Sequence, residues 1–387
     1  MRPATVYMDH SATTRVDQRV VEAMLPYFTE QYGNPSSLYF LGQKAHQAIE
    51  TARRTVAGIL NAVPREVIFT GCGTESDNLA IRGVALARQS QGRHLITTPI
   101  EHKAVLDTMH QLEEEMGFEV TILPVDQHGM VHAEEVRRAL RPDTILVSIM
   151  YANNEVGTVQ PLAEIGDLLK GHPAVFHVDA VQAGGYLPLD VQALGVDMLA
   201  LSGHKFHAPK GVGMMYVRRG TPFVTTMTGG GQENSQRAGT QNVPYIVAFA
   251  RALEIAHTDR EGKNAHLVAL RDRLISAILE AVPTAKLTGH PTERLPGHAS
   301  FTMGAGFEAD AMLLGLDMEG IAASSGSACT SGRNAASHVL TAMGVPYREA
   351  LSALRLSLGD DNTMEEVEYV AQKLPQVIQR LQAFVAA

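Results

Sequence analysis

The sequence predicts an α/β fold in which helices cover both faces of a mostly parallel sheet. Short apolar segments that favour strands alternate along much of the chain with longer segments of helical spacing. Two of the apolar segments, 176–182 and 199–205, stop abruptly at polar residues. Parallel strands present their carboxyl ends at one edge of a sheet, so these polar residues are expected to share a ligand site.

The other segments continue the same alternation in chain order. Apolar, β-branched runs predict strands, and apolar residues every three to four positions predict helices. The predicted strands are residues 7–9, 67–70, 94–98, 119–123, 144–150, 212–217, 298–303 and 354–358. The predicted helices are residues 18–28, 41–60, 244–281 and 365–385, with two more beginning near 79 and 102.

An acid and a lysine follow the two strands that end abruptly. Asp179 closes the first strand, and Lys205 follows the second. A lysine can form a Schiff base with an aldehyde, and a carboxylate can keep a pyridine nitrogen protonated so that the ring accepts electrons. The pair, with Gln182, Ser202 and His204 beside it, predicts a pyridoxal phosphate site. Taken alone, each residue is also typical of a solvated or capping side chain.

The length of the chain indicates the number of domains, and its charge limits the classes of partner. A chain of 387 residues predicts about two domains. Residues 15–258 are expected to form a large cofactor-binding domain, and residues 259–387, with 1–14, a smaller α/β domain. A formal net charge of −9 without a long basic run argues against nucleic acid or a membrane surface as the main partner.

The compartment is expected to be the cytoplasm. The sequence contains two cysteines, which is too few for a disulfide framework. We find nothing that resembles a signal peptide, and no apolar run reaches the ~18 residues that a membrane span requires.

A glycine turn follows the strand at 67–70. Gly73 and Thr74 lie in it, directly before apolar residues that begin a helix. Free backbone N–H groups and the helix dipole favour an anion at such a position. The turn therefore indicates a phosphate site, although many similar turns bind no ligand.

Two further strand ends carry polar candidates. His102 follows the strand at 94–98 and opens a helix, where it either stacks on a planar ligand and moves protons or is an ordinary surface histidine. Asn154 follows the strand at 144–150, where it either donates to a phenolic oxygen or forms a turn.

Two loops supply more distant candidates. Asn34, in the turn 33–37, either binds substrate or caps the structure that follows. Thr240 follows the glycine-rich segment 228–231. It either completes an anion site across a subunit boundary or belongs to a mobile loop.

A second constellation lies near the end of the chain. Cys329 sits among small polar residues between Gly326 and Gly332, which predicts a loop and an accessible thiol rather than a buried one. Arg355 follows in a predicted strand. It is either a clamp for a substrate carboxylate or part of a surface salt bridge.

Together these motifs resemble the pyridoxal-phosphate cysteine desulfurases of the iron–sulfur-cluster type. The ordered set runs nearly from end to end of the chain and is more specific than any one motif. The matching segments are 9–14, 33–37, 101–102, 153–155, 179–182, 202–205, 326–329 and 355–359.

The resemblance implies a fold-type I aminotransferase-like homodimer that converts L-cysteine to L-alanine. It makes Lys205 the Schiff-base lysine, His102 the ring-stacking acid/base and Cys329 the sulfur acceptor. It makes Asn34 and Arg355 the clamp on the substrate carboxylate. The implied cofactor contacts are Gly73, Thr74, His102, Asn154, Asp179, Gln182, Ser202, His204, Lys205 and, from the other subunit, Thr240.

The resemblance also implies partners. Sulfur held as a persulfide on Cys329 would pass to an acceptor protein such as an iron–sulfur scaffold, and Cys329 would also be a candidate contact to an iron–sulfur cluster. The alternatives are a selenocysteine or cysteine sulfinate lyase of the same fold, an aminotransferase, or a sulfur-carrying scaffold without turnover.

Three positions depart from the family pattern. The phosphate turn reads Gly71-Cys72-Gly73-Thr74, where the family usually has Ser-Gly-Ala-Thr. The favoured interpretation of Cys72 is a small buried side chain. Tyr39 replaces a usual histidine and Ala208 a usual glycine, which affects loop detail rather than chemistry.

Overall fold

The computed structural model describes residues 5–326 and 336–386. Its strands, in chain order, are β1 Val6–Tyr7, β2 Val67–Thr70, β3 His94–Thr97, β4 Glu119–Ile122, β5 Thr144–Ser148, β6 Val175–Asp179, β7 Met198–Ser202, β8 Gly213–Val217, β9 Gly231–Gln232, β10 Arg237–Ala238, β11 Lys286–Leu287, β12 His298–Thr302, β13 Ile321–Ala322 and β14 Ala353–Ser357.

The helices alternate with these strands. They are α1 Gln18–Met24, α2 Pro26–Thr29, α3 Phe40–Leu60, α4 Gly73–Arg88, α5 Lys103–Met116, α6 Ala133–Ala139, α7 Leu162–Leu169, α8 Val243–Thr258, α9 Arg260–Ala281, α10 Ala309–Met318, α11 His338–Ala342, α12 Tyr347–Ala350 and α13 Met364–Ala386.

A seven-stranded sheet organises the first part of the chain. Its strand order is β2-β8-β7-β6-β5-β3-β4, and only β8 runs antiparallel to its neighbours. Strands β2, β3, β5, β6, β7 and β8 are buried along their whole length. This explains why their sequences are continuously apolar instead of alternating between apolar and polar residues. The prediction of an α/β fold with a mostly parallel sheet is confirmed.

Helices bury both faces of this sheet. One core cluster packs α3 and α8 against residues such as Phe69, Phe176 and Tyr216. Another packs α4 and α5 against Ile68, Leu95 and the opposite face. The carboxyl ends of β2, β3, β5, β6 and β7 therefore lie at one open edge, since these strands are parallel.

The last third of the chain has its own core. Helices α9, α10 and α13 pack on the antiparallel sheet β11-β12-β14. Val6 and Met8, from the start of the described chain, are buried in the same cluster. The domain boundary between residues 258 and 259 stays a prediction.

Two predicted helices are each divided in the structure. The helix predicted at 18–28 breaks at Leu25, because Pro26 begins a new short helix. The helix predicted at 244–281 breaks at Asp259, whose φ and ψ are −119° and 26°. Among the described helices, none has the length and apolar character needed to cross a membrane.

Candidate active site

A cavity of about 310 Å³ lies where the parallel strands of the large sheet end. It is bounded by the strand-end loops, the N-terminus of α4 and the loop after β1. Its lining residues are Ser11, Ala12, Cys72, Gly73, Thr74, Asp77, His102, Met150, Asn154, Asp179, Val181, Gln182, Ser202, His204, Lys205, Gly326 and Arg355. Nine of the predicted cofactor contacts and Arg355 are thus brought together.

Asp179 is the last residue of β6 and is buried. One of its oxygens, Oδ1, accepts the backbone N–H of Val181 at 2.9 Å. Burial raises the pKa of Asp179, and the positive charges that His102 and Lys205 can carry oppose that rise. A cationic ligand nitrogen in the cavity would likewise favour the ionised carboxylate.

Lys205 closes the helical turn after β7 and reaches back to the start of the chain. Its Nζ donates to the carbonyl oxygens of Ser11 at 2.6 Å and Ala12 at 2.8 Å. Gln182 Nε2 donates to the same Ser11 oxygen at 3.0 Å. The loop after β1 therefore holds the lysine amine beside the strand ends, a contact that the sequence motifs did not indicate.

The turn between β2 and α4 forms another wall. A side chain at Gly73 would put its Cβ 2.7 Å from Val181 Cγ2 and 3.3 Å from Ser202 Cβ. Only glycine fits there without displacing these two side chains, which line the same cavity. Thr74 is exposed at the same rim.

His204 lies at this rim as a neutral side chain. Its Nδ1 is 3.2 Å from Thr13 Oγ1. Burial, followed by the charge of Lys205, lowers the pKa of His204 to about 4. His204 can therefore donate one hydrogen bond to an anion without adding charge at neutral pH.

Cys72 is exposed, so the interpretation of a small buried side chain is wrong. It is the N-cap of α4, and its Sγ accepts the backbone N–H of Glu75 at 3.4 Å. A capping residue must stand at the free end of a helix, which here opens into the cavity. The thiol is consequently one of the lining groups.

His102 is the N-cap of α5. Its Nδ1 accepts the N–H of Ala104 at 3.1 Å, so a neutral His102 carries its proton on Nε2. The neighbouring Glu101 is buried and accepts from Thr98 Oγ1 at 2.7 Å and from the Met150 N–H at 3.0 Å. Burial raises the pKa of Glu101 to about 8.

A second buried acid lies behind Asp179. Asp77 sits one turn into α4 from Gly73, and burial followed by the charge of Asp179 raises its pKa well above the ordinary range. Its Oδ1 lies 3.5 Å from His177 Nε2. Burial lowers the pKa of His177 to about 3, and its Nδ1 is 2.9 Å from Ser148 Oγ. Sequence reasoning missed this group, although helical spacing from Gly73 and strand spacing from Asp179 could have indicated it.

Arg355 is buried in β14, so the interpretation of a surface salt bridge is wrong. Its Nη2 donates to Asp9 Oδ1 at 2.8 Å, and its Nη1 donates to the carbonyl oxygen of Asn154 at 2.8 Å. Its buried Nε has no hydrogen-bond partner among the described residues. A buried N–H without an acceptor is costly, so this atom is suited to a ligand anion.

Three predicted site residues are not part of this cavity in the described chain. Asn34 is exposed, and its Oδ1 accepts the N–H of Ser36 at 3.0 Å within its own turn. Thr240 is also exposed and does not line the cavity. Cys329 lies outside the described residues.

The cavity fits the chemistry of pyridoxal phosphate. Lys205 supplies the amine for an aldehyde, and the buried Asp179 supplies an anion for a ring nitrogen. The N-terminus of α4, which begins at Gly73, supplies backbone N–H donors for a phosphate. Within the described part of the chain, no three His, Cys, Asp or Glu side chains are grouped so as to hold a metal ion.

An α/β fold with this arrangement at its strand ends defines an enzyme dependent on pyridoxal phosphate. The family model described as aminotransferase class-V matches residues 6–370. The chain therefore belongs to the class-V aminotransferase family.

Similar proteins carry more specific names. A protein of Methanosarcina thermophila named cysteine desulfurase IscS is 51% identical over 376 residues, covering 97% of this chain and 92% of the relative. A Clostridium botulinum (strain Hall) protein of the same name is 47% identical, covering 97% of this chain and 94% of the relative.

Solved structures agree on the fold. A structure titled NifS-like protein superimposes with a TM-score of 0.91 and 42% identity, covering 97% of this chain and all of that chain. A structure titled SspA in complex with cysteine has a TM-score of 0.81 and 36% identity, covering 93% of this chain and all of that chain.

Proposed function

We propose that this chain is a cysteine desulfurase that converts L-cysteine to L-alanine and holds the sulfur as a persulfide on Cys329. The observation that carries the proposal is the joint placement of Lys205, Asp179 and Arg355 around one cavity. The lysine and the carboxylate serve the cofactor, and the guanidinium serves an amino acid carboxylate. The substrate is inferred from the similar proteins, which are named cysteine desulfurases.

When bound, pyridoxal phosphate supplies an aldehyde that condenses with an amine and a cationic ring that stabilises negative charge at the substrate Cα. Asp179 would hold the proton on the ring nitrogen. Thr74, Ser202 and His204 line the cavity and would donate to the phosphate. Gln182 and Asn154 lie on the cavity wall, where each can donate to the phenolic oxygen.

Arg355 would bind the substrate carboxylate, since its Nε has no partner in the part of the chain that the structure describes and its position is held by Asp9. With the substrate bound, Lys205 Nζ would take the Cα proton and would return it to Cα after the sulfur has left. His102 donates from Nε2, because its Nδ1 already accepts the Ala104 N–H. Asn34 stays a predicted contact of the substrate carboxylate.

Sulfur transfer then requires a thiolate at Cys329. The thiolate forms a bond to the sulfur of the substrate, and the bond between that sulfur and Cβ breaks. The electron pair of the broken bond stays with carbon, which takes the proton released by the substrate thiol and becomes the methyl group of alanine. The transferred sulfur is thereby oxidised by two electrons, and the carbon is reduced by the same two.

The test supplies purified protein with L-cysteine and a thiol reductant and measures sulfide, alanine and visible absorbance. We expect equal amounts of sulfide and alanine, and a Cys329→Ser variant that keeps the cofactor absorbance but releases no sulfide. Normal sulfide release by that variant would overturn the role of Cys329. Alanine formed only from selenocysteine or cysteine sulfinate would assign the chain to a sister lyase instead. A colourless protein without turnover would favour the alternative of a sulfur-carrying scaffold that is not an enzyme.

We also propose a homodimer in which Thr240 of one subunit completes the phosphate site of the other. A group of large apolar side chains on the surface supports it, because such patches mark association sites. Leu38 is 91% exposed and Phe40 72% exposed, and Leu25, Phe28 and Tyr32 are exposed nearby in sequence. Light scattering should give twice the 41.7 kDa chain mass, and Leu38→Asp with Phe40→Asp should lower it. An unchanged mass in that variant would contradict this face as the dimer interface.

We propose that the persulfide passes to an acceptor protein, for which an iron–sulfur scaffold is the first candidate, and that Cys329 can contact a cluster through it. We propose a cytoplasmic location, because the reaction needs a reduced thiol.

We propose two domains, which are residues 15–258 and residues 259–387 together with 1–14. Limited proteolysis should cut between them near Asp259.

A further inference from the structure

A strained hairpin lies next to the phosphate turn. Strands β9 and β10 pair antiparallel, with residues 233–236 between them. Glu233, Asn234 and Ser235 have φ values of 48°, 55° and 66°. Three consecutive left-handed residues without a glycine persist only where surrounding contacts hold them.

The buried side chain of Glu233 provides one such set of contacts. Its Oε2 accepts from Arg53 Nη1 at 2.7 Å and from the Phe69 N–H at 3.0 Å, and its Oε1 accepts from Arg53 Nη2 at 3.0 Å. Gln241 Nε2 donates to Oε1 as well. Arg53 is buried too and is thus paired in a fork geometry. The hairpin is thereby attached to β2, the strand that leads into the phosphate turn.

Strand β10 of the hairpin contacts the phosphate turn at residues 71–75 directly. Arg237 Nε donates to Glu75 Oε1 at 2.9 Å. Glu75 Oε2 accepts the backbone N–H of Gly71 at 2.7 Å, and the N–H of Glu75 donates to the capping Cys72 Sγ at 3.4 Å. A Cβ at Gly71 would lie 2.9 Å from Glu75 Oε2, so the carboxylate lies directly against the turn.

Glu75 places a negative charge beside the turn that is proposed to bind the cofactor phosphate. Glu75 is in the first turn of α4, whose N-terminus faces the cavity. An unpaired carboxylate there would repel a phosphate, whereas the ion pair with Arg237 cancels its charge and fixes its direction. The pair is about one fifth exposed, so solvent screens it only in part.

We propose that Arg237 and Glu75 are positioning residues for the phosphate turn at residues 71–75, with Glu233 holding the hairpin that carries Arg237. Glu75 braces the turn through the Gly71 N–H, and Arg237 neutralises Glu75. The proposal rests on the proposed function, in which this turn takes the cofactor phosphate.

The test measures binding of two ligands to the full-length protein after its cofactor has been removed. Pyridoxal phosphate and pyridoxal differ only in the phosphate, and visible absorbance follows both. We expect Arg237→Met to raise the Kd of pyridoxal phosphate about tenfold and to leave the Kd of pyridoxal unchanged. Arg237→Lys should restore most of the affinity, since it returns the charge. Glu75→Gln added to Arg237→Met should restore part of it, since it removes the unpaired carboxylate.

A matched control removes an arginine–glutamate pair that joins α9 to α13 and does not line the cavity. Arg273→Met breaks the exposed pair with Glu368 and should change neither Kd. Unchanged Kd values for both ligands in Arg237→Met would overturn the inference while leaving the proposed function intact. An equal rise for both ligands, or no rescue by Arg237→Lys, would show general damage to the fold and would also overturn it. If the unaltered protein does not prefer the phosphorylated ligand, the proposed cofactor site fails and this inference fails with it.

Discussion

Arg355 Nη2 lies 2.8 Å from Asp9 Oδ1, and this contact joins the final strand of the fold to the loop after the first. The guanidinium is buried, and the Asn154 carbonyl oxygen holds its other terminal nitrogen. Its direction is therefore set before any substrate arrives. Such preorganisation lowers the entropic cost of binding an amino acid carboxylate.

The first prediction concerns this held arginine. Arg355→Lys keeps the charge but loses the planar fork, and we expect KM for L-cysteine to rise about tenfold or more. Asp9→Asn should raise KM less, because it only loosens the direction of the guanidinium. Steady-state kinetics at saturating cofactor would check both. A fall in kcat at constant KM would contradict a role in substrate binding.

The second prediction concerns Lys205. Lys205→Ala removes both the amine for the cofactor and the base for the Cα proton, so we expect kcat to fall roughly 10³- to 10⁴-fold. After reduction with borohydride, mass spectrometry should find the cofactor attached to the unaltered protein and absent from the variant. A cofactor attached to the variant would assign the covalent bond to another lysine.

The third prediction concerns the exposed thiol of Cys72. In a Cys329→Ser background Cys72 is the single cysteine, since the sequence contains two. Because Cys72 lines the cavity at the phosphate turn, we expect iodoacetamide to label it in the cofactor-free protein and much more slowly once pyridoxal phosphate is bound. Mass spectrometry of the labelled protein gives both rates, and equal rates would place the phosphate elsewhere.

Much of the fold could be predicted from the sequence because the central strands are buried on both faces. A strand such as Val67–Thr70 must be apolar throughout, and its abrupt polar ending marks the edge of the sheet. The same logic identified Asp179 and Lys205, which stand at neighbouring strand ends. Breaks within helical stretches were not predicted, since Asp259 interrupts a spacing that continues on both sides.

The buried charges could not be predicted in the same way. Asp77, Glu101 and Arg355 are of residue types that usually lie at the surface. Only the tertiary packing shows that α4, the segment just before α5, and β14 bury them. The exposure of Cys72 depends on its capping position, which outweighs the usual preference of cysteine for the interior. Asn34 and Thr240 lie on the surface of one chain, so their predicted roles depend on contacts beyond it.

The fourth prediction concerns the buried Glu101, which lies next in sequence to His102 of the cavity wall. Burial raises its folded-state pKa to about 8, whereas an unfolded glutamate ionises near pH ~4.3. Below that lower value both states hold the proton. Between the two values the unfolded chain loses the proton and the folded chain keeps it. The free energy of unfolding therefore falls as pH rises through this window and levels off above about pH 8.

Glu101→Gln removes this titration and keeps the shape of the side chain. Its amide oxygen can still accept from Thr98 Oγ1 and the Met150 N–H, and the second oxygen that it replaces has no hydrogen-bond partner among the described residues. We expect the variant to gain stability over the unaltered protein as pH rises from 5 to 8, by a few kcal/mol at most, on the order of 1.4 kcal/mol per pH unit. Urea unfolding at a series of pH values measures the difference. Glu280→Gln on the exposed surface is the control, and its difference should stay constant with pH. A Glu101→Gln difference that is equally constant would mean that Glu101 is ionised in the folded protein.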